Sequence, residues 1–263
     1  MMMMPGICCL LALLPFTIQA APSRDQTPTD IPTNYREAQH AARLALHFFN
    51  YQSGSPHQLL DVTDVKKATL MAFPFVGHKY CVEFSANVYQ TMEDVGLCSA
   101  SVFFLDEKPR PSISVNCSGS KVQKQALDDD YEFYQKIKAQ TSPLTGENIP
   151  DSYGNIEPQF EPVWQLAILG SSYVIVDKAT EDRDYAMAQI RTVKQIPRQD
   201  KFIAFNYDLY LYERPSEEMV PCNLHVVWAP GRSPKVDYSC HDYSENGSGS
   251  KAEEGSAFLG NFK

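Results

Sequence analysis

The stretches KYCVEFSANVYQ and KFIAFNYDLYLYE alternate apolar and polar residues at a period of two, and they do so in step. Tyr80, Val82, Phe84, Ala86 and Val88 in the first match Ile203, Phe205, Tyr207, Leu209 and Leu211 in the second, each pair 123 residues apart. Alternation of that length predicts a strand with one face on a core. The following strands agree: Cys98, Ala100, Val102 and Phe104 correspond to Cys222, Leu224, Val226 and Trp228. The chain therefore reads as a tandem duplication in which each half must bury its own sheet face.

Both copies open alike, with IPTNY from Ile31 and IPDSY from Ile149. After the first, Ala38, Ala41, Ala42, Ala45, Phe48 and Phe49 recur at helical spacing. Asn34 and Glu37 form a capping-box-like start, and Gly54 and Pro56 supply a stop. After the second, EPVWQLAILGSSYVIV predicts a more apolar helix with Trp164, Ala167, Ile168 and Tyr173 available for burial. The fold class expected is α+β: in each repeat, a helix followed by about four antiparallel strands. Repeat 1 is expected over 30–118 and repeat 2 over 149–241. Between them, a linker over 119–148 carries DDDYEFYQKIKAQ, a short connecting helix. Its run Asp128 to Asp130 reads as a solvated helix start favoured by the macrodipole. The Ser/Gly/Glu-rich acidic tail, 242–263, is expected to be disordered.

The duplication also predicts the covalent framework. Cys98 and Cys117 lie symmetrically about the turn EKPR, and Cys222 and Cys240 about APGRS. Facing residues of an antiparallel hairpin come within disulfide reach, so 98 should pair with 117 and 222 with 240. Cys81 is left as a free thiol on the strand face carrying Glu83, Ser85 and Asn87.

The first 20 residues, MMMMPGICCLLALLPFTIQA, contain no charged side chain. The apolar run Ile7 to Leu14 is short for a membrane span, which predicts a secretory signal peptide cut near Ala20. The alternative is an uncleaved signal anchor, giving a single-pass membrane protein. Two sequons, at Asn116 and Asn246, are candidate glycosylation sites that fit export. Acidic residues exceed basic ones by 32 to 23, for a net charge of -9, which argues against nucleic-acid binding.

Catalytic signatures are missing: no HExxH, GxSxG, phosphate loop or CxxC occurs. The six histidines (40, 47, 57, 78, 225 and 241) are spaced unlike metal ligands, and His40 and His47 read as surface or boundary residues of the first helix. No enzyme, metal site or cofactor is expected.

A helix wrapped by a four-stranded antiparallel sheet, with hairpin disulfides and an export signal, is similar to cystatin architecture. The papain-inhibiting QxVxG is reduced here to Val76-Gly77, and no Pro-Trp stands in the later turn, so cysteine-protease inhibition is not expected. NYQSGSPHQLLDV, GHKY, NIPDSYGNIEP, Thr180-Glu181-Asp182 and IRTVKQIPRQDKFIAFNY resemble the latexin family, over almost all of Ile31 to Cys240. That resemblance implies two cystatin-like domains joined by a helical linker, in a monomer. It further implies inhibition of zinc metallocarboxypeptidases, either secreted A/B-type enzymes or a cytosolic tubulin-processing type. The inhibitory hairpin it implies falls on Tyr212, Glu213, Arg214, Pro215, Ser216, Glu217 and Glu218. The family's key His and Gln are replaced there by Tyr212 and Glu217. The alternative is a secreted or cell-surface interaction protein, growth-suppressing or biomineral-associated, that keeps the fold without inhibiting.

Overall fold

The computed structural model describes residues 27–119 and 124–241, together with the backbone of 253–256. Two antiparallel sheets and three helices build an α+β molecule. Helix α1 (Arg36–Ser53) is followed by four long strands, β2 (Leu60–Phe73), β3 (Gly77–Val88), β4 (Asp94–Leu105) and β5 (Lys108–Cys117). Helix α3 (Glu161–Lys178) is followed in the same way by β7 (Tyr185–Ile196), β8 (Ile203–Glu213), β9 (Glu218–Trp228) and β10 (Lys235–Cys240). Consecutive strands pair, so each sheet is a meander of hairpins.

The period of two sets what is buried. Tyr80, Val82, Phe84, Ala86 and Val88, and their counterparts Ile203, Phe205, Tyr207, Leu209 and Leu211, all lie in the core. Both sheets carry paired register breaks at matching places: Val62/Asp64 and Val65/Lys67 in β2, Met187/Gln189 and Ile190/Thr192 in β7. Such bulges bend a strand and increase its twist, which lets a sheet curve about a helix. Cys98 faces Cys117 and Cys222 faces Cys240 in the register, and both pairs are disulfide-bonded; Cys81 is a half-buried free thiol. Asn116 is exposed on β5, whereas Asn246 and the apolar leader lie outside the described residues.

The sheets are wider than four strands. β1 (Thr29–Asp30) pairs with β2, and β6 (Thr145–Ile149), drawn from the end of the expected linker, pairs with β7. The tail also differs from the disordered expectation over four residues: β11 (Glu253–Ser256) pairs with β10 from Cys240 to Asp237. The physical reason is common to all three, since an edge strand offers unpaired backbone groups to any nearby extended segment.

The start of α1 differs as well. Tyr35 occupies the N-cap and no side chain caps the helix. Asn34 sits in a turn closed by Tyr35 N–H to Pro32 O (3.1 Å), and the Glu37 carboxylate accepts from Arg36 Nη2 (3.2 Å) rather than from the helix end. The C-terminus follows expectation, with Gly54 at φ 71°. A Cβ there would stand 2.3 Å from Arg232 O of the second repeat, so glycine is required by the backbone conformation and by the contact.

One continuous core serves both repeats. Helix α3 is buried around nearly its whole circumference, packed between its own sheet, α1 and β5. Linker helix α2 (Lys124–Ala139) is a clamp: Phe133 packs against Phe205 (6.5 Å) and Trp228 (6.1 Å). Asp130, read as solvated, is instead fully buried, its Oδ1 accepting from His57 Nδ1 (2.8 Å) and His57 N–H (3.3 Å). The acidic run faces inward at this residue because the linker docks on the Pro56–Gln58 turn of the first repeat.

Candidate functional site: a hairpin at the junction of the repeats

The segment expected to carry function is the β8–β9 hairpin. Its register, Leu211 opposite Val220, Tyr212 opposite Met219 and Glu213 opposite Glu218, leaves a four-residue turn, Arg214 to Glu217. Arg214 through Met219 are exposed, and Tyr212 and Glu213 are half-buried. Pro215 fixes one φ of the turn, and Glu217 adopts φ 59°, an uncommon left-handed conformation for a residue with a side chain. The turn thus presents Pro215, Ser216 and Glu217 from two rigid strands.

Its base is held by a residue that the sequence did not single out. Asp184, at the entrance to β7, is 3% exposed. Its backbone carbonyl accepts from Arg214 N–H (2.8 Å) and its carboxylate lies 3.5 Å from Arg214 Nε. From the first repeat, Arg43 donates to Oδ2 through Nη2 (2.5 Å) and Nε (3.1 Å), and His40 Nδ1 lies 3.2 Å from Oδ1. Burial opposes ionisation here, but His40 nearby and the charge and hydrogen bonds of Arg43 hold the carboxyl well below the usual range. His40 is 1% exposed, so the boundary reading of this residue gives way: its ring spans the repeats, with Nε2 2.8 Å from Thr180 O.

Three residues before Asp184, Glu181 receives the first repeat. His78 Nδ1 contacts its carboxylate at 2.8 and 3.0 Å, and Tyr80 O–H donates to the same group. Burial, then the hydrogen bond and charge of Glu181, push the Tyr80 hydroxyl pKa far up. Arg36 Nη1 donates to Asp182 O (3.1 Å). His78 lies just past the β2–β3 turn, where Phe75 is 97% exposed at φ 63° and Val76 is 48% exposed. Asp106 N–H to Val76 O (3.0 Å) draws in the β4–β5 turn. The segment 180–184 therefore touches both repeats, through His78 and Tyr80 of the first and Arg214 of the second.

Other features bring less together. A cleft of about 770 Å³ lies on the open face of β7–β10, lined by Lys194, Asn206, Asp208, His225 and Asp237; His225 Nδ1 contacts Asn206 Oδ1 (2.6 Å), and Asp237 stands opposite His225 in the strand register. Among the described residues, no three His, Cys, Asp or Glu side chains are grouped to hold a metal ion, and no helix is long and apolar enough to cross a membrane.

Each half is a helix set against a meander of four strands; the two helices pack on each other, and the linker helix docks on the Pro56–Gln58 turn and on β8. This is a tandem helix-and-sheet protein with an exposed hairpin anchored at Asp184. The chain belongs to the latexin family, whose model matches residues 31–246. It is 38% identical over 239 residues to human retinoic acid receptor responder protein 1, covering 88% of this chain and 81% of that protein. Chicken ovocalyxin-32 is 36% identical over 236 residues (87% and 86% covered), and human latexin 36% over 211 residues (79% and 94% covered).

Proposed function

We propose that the chain is a non-catalytic inhibitor of zinc metallocarboxypeptidases of the A/B type, closing the mouth of the enzyme's funnel with the hairpin Tyr212 to Glu218. The observation that carries this reading is the anchorage of the hairpin. Its backbone and Arg214 are fixed to a buried Asp184 that also binds the first repeat, so the exposed tip enters a complex with little freedom left to lose. Glu217 offers a carboxylate at the tip, a ligand type that zinc accepts. Export supports the A/B type as target: the leader is apolar and charge-free, and two disulfides suit an oxidising compartment.

A second reading keeps the fold as a secreted or cell-surface interaction protein without inhibition. It is favoured by two loop residues being engaged within the molecule, Tyr212 half-buried on the sheet face and Arg214 beside Asp184.

Two substitutions separate these readings. Tyr212→Ala should weaken inhibition about thirtyfold, the loss of roughly 2 kcal/mol expected when an aromatic anchor is truncated. Glu217→Gln should weaken a contact built on carboxylate–zinc attraction and strengthen one built on amide hydrogen bonding. Both variants should fold, since neither side chain is in the core. Inhibition constants unchanged in both would remove this hairpin from the contact.

A further inference from the structure

Ser216 stands at the third position of the exposed turn, followed by the exposed Glu217 and Glu218. No other serine in the sequence has a glutamate two residues after it. Among the described residues, its hydroxyl oxygen meets a single long contact, from Glu218 N–H at 3.4 Å. Pro215, Ser216 and Glu217 are exposed at the tip, beyond the contacts that Asp184 makes with Arg214 at the base. An acceptor hydroxyl at such a tip, with carboxylates one and two residues downstream, is what a serine kinase with a basic substrate cleft recognises.

We propose that Ser216 is a phosphorylation site for an acidophilic kinase of the Golgi casein type, and that its modification switches off the protease contact; the second half rests on the inhibitor reading above. The Ser216 Oγ attacks the γ-phosphorus of ATP carried by the kinase. An Oγ–P bond forms as the bond to the bridging β–γ oxygen breaks, the hydroxyl proton passes to the kinase's carboxylate base, and ADP leaves. The product adds a charge of about -1.5 to -2 to the turn. Glu217 and Glu218 already stand there, and Glu213 lies at the base with Arg183 Nε at 3.7 Å. The one cation in the turn is Arg214, whose Nε is 3.5 Å from Asp184 Oδ2. A phosphate two residues away competes with Asp184 for that guanidinium and loosens the base of the hairpin.

The test uses the full chain, ATP and a Golgi-type casein kinase, with the product mapped by peptide mass spectrometry. One phosphoryl group on Ser216 is expected, none on Ser216→Ala, and a rate at least tenfold lower for Glu218→Gln, which keeps the acceptor and removes the recognition group. A kinase that reads the third residue downstream, where Met219 stands, should leave Ser216 unmodified, whatever it does at Ser250, which has Glu253 at that position. Phosphate on another serine, incorporation only into unfolded protein, or an undiminished rate for Glu218→Gln would overturn the site. Inhibition is then compared for phosphorylated and unmodified protein, with at least tenfold weakening expected. Equal inhibition by both forms overturns the switch, while a chain that takes phosphate at Ser216 and inhibits in neither form defeats the inhibitor reading and leaves the site standing.

Discussion

Trp228→Ala should destabilise the molecule by about 3–5 kcal/mol, the range for truncating a large buried aromatic, and should do so without splitting its unfolding into two steps. Trp228 is fully buried on β9, and its contacts run to three parts of the chain. Its Nε1–H donates to Gly54 O at the end of α1 (2.7 Å), its ring packs on Phe133 of α2 (6.1 Å), and it pairs with Ile203 inside the second sheet. Removing the indole opens a cavity where repeat 1, the linker and repeat 2 meet, and leaves the Gly54 carbonyl without this donor. A denaturant titration followed by tryptophan-independent circular dichroism checks it. One cooperative transition with a lowered midpoint is expected; a second transition, with one repeat melting alone, would show that the repeats are coupled only loosely.

Acid should act on the same junction. His47 Nδ1 lies 3.1 Å from Ser172 Oγ between α1 and α3. Burial pulls its pKa from 6.5 down to about 4, opposed by Asp184 and reinforced by the guanidinium groups of Arg214 and Arg43. The folded state therefore binds the proton less readily than the unfolded chain. Its stabilising contribution is complete above the unfolded pKa of 6.5 and is lost as pH falls toward 4, at no more than about 1.4 kcal/mol per pH unit. Across the window the loss is about 2–3 kcal/mol, allowing for the part of the ring that meets solvent. Asp184 acts in a different window: its carboxyl is depressed, so its contribution is present above the unfolded carboxylate range and fades only in stronger acid. His47→Gln should flatten the stability profile between pH 6.5 and pH 4. An unchanged slope in that variant would assign the acid sensitivity to another group.

Much of the architecture was legible because it rests on local periodicity. Even-numbered burial along β3, odd-numbered burial along β8 and the facing cysteines of each hairpin follow from an alternation that any reader of the sequence can count. A turn between the long strands of the second repeat was expected within 212–218 and is found at 214–217. What holds it was not legible. Arg43 and Asp184 are 141 residues apart, and His40 and Thr180 are 140 apart, so no periodicity connects them. Asp184 and Glu181 look like ordinary loop carboxylates until two helices pack together and bury the ends of their connections. Asp130 was misread for the same reason: a short run of aspartates looks solvated unless the docking of its helix is known. The capping box at Asn34 failed because a competing turn and the Arg36–Glu37 pair took its groups.

The central claim is that an anchored hairpin at the junction of the repeats closes a metallocarboxypeptidase. The most direct measurement titrates the full chain, disulfides intact, against purified A-type and B-type zinc carboxypeptidases, and repeats the titration with the turn from Arg214 to Glu217 replaced by a glycine-rich loop of equal length. Stoichiometric, reversible inhibition by the parent is expected at micromolar concentration or below, with its loss in the loop variant, which retains the parent's circular dichroism. No inhibition by the parent, or equal inhibition by both proteins, would contradict it.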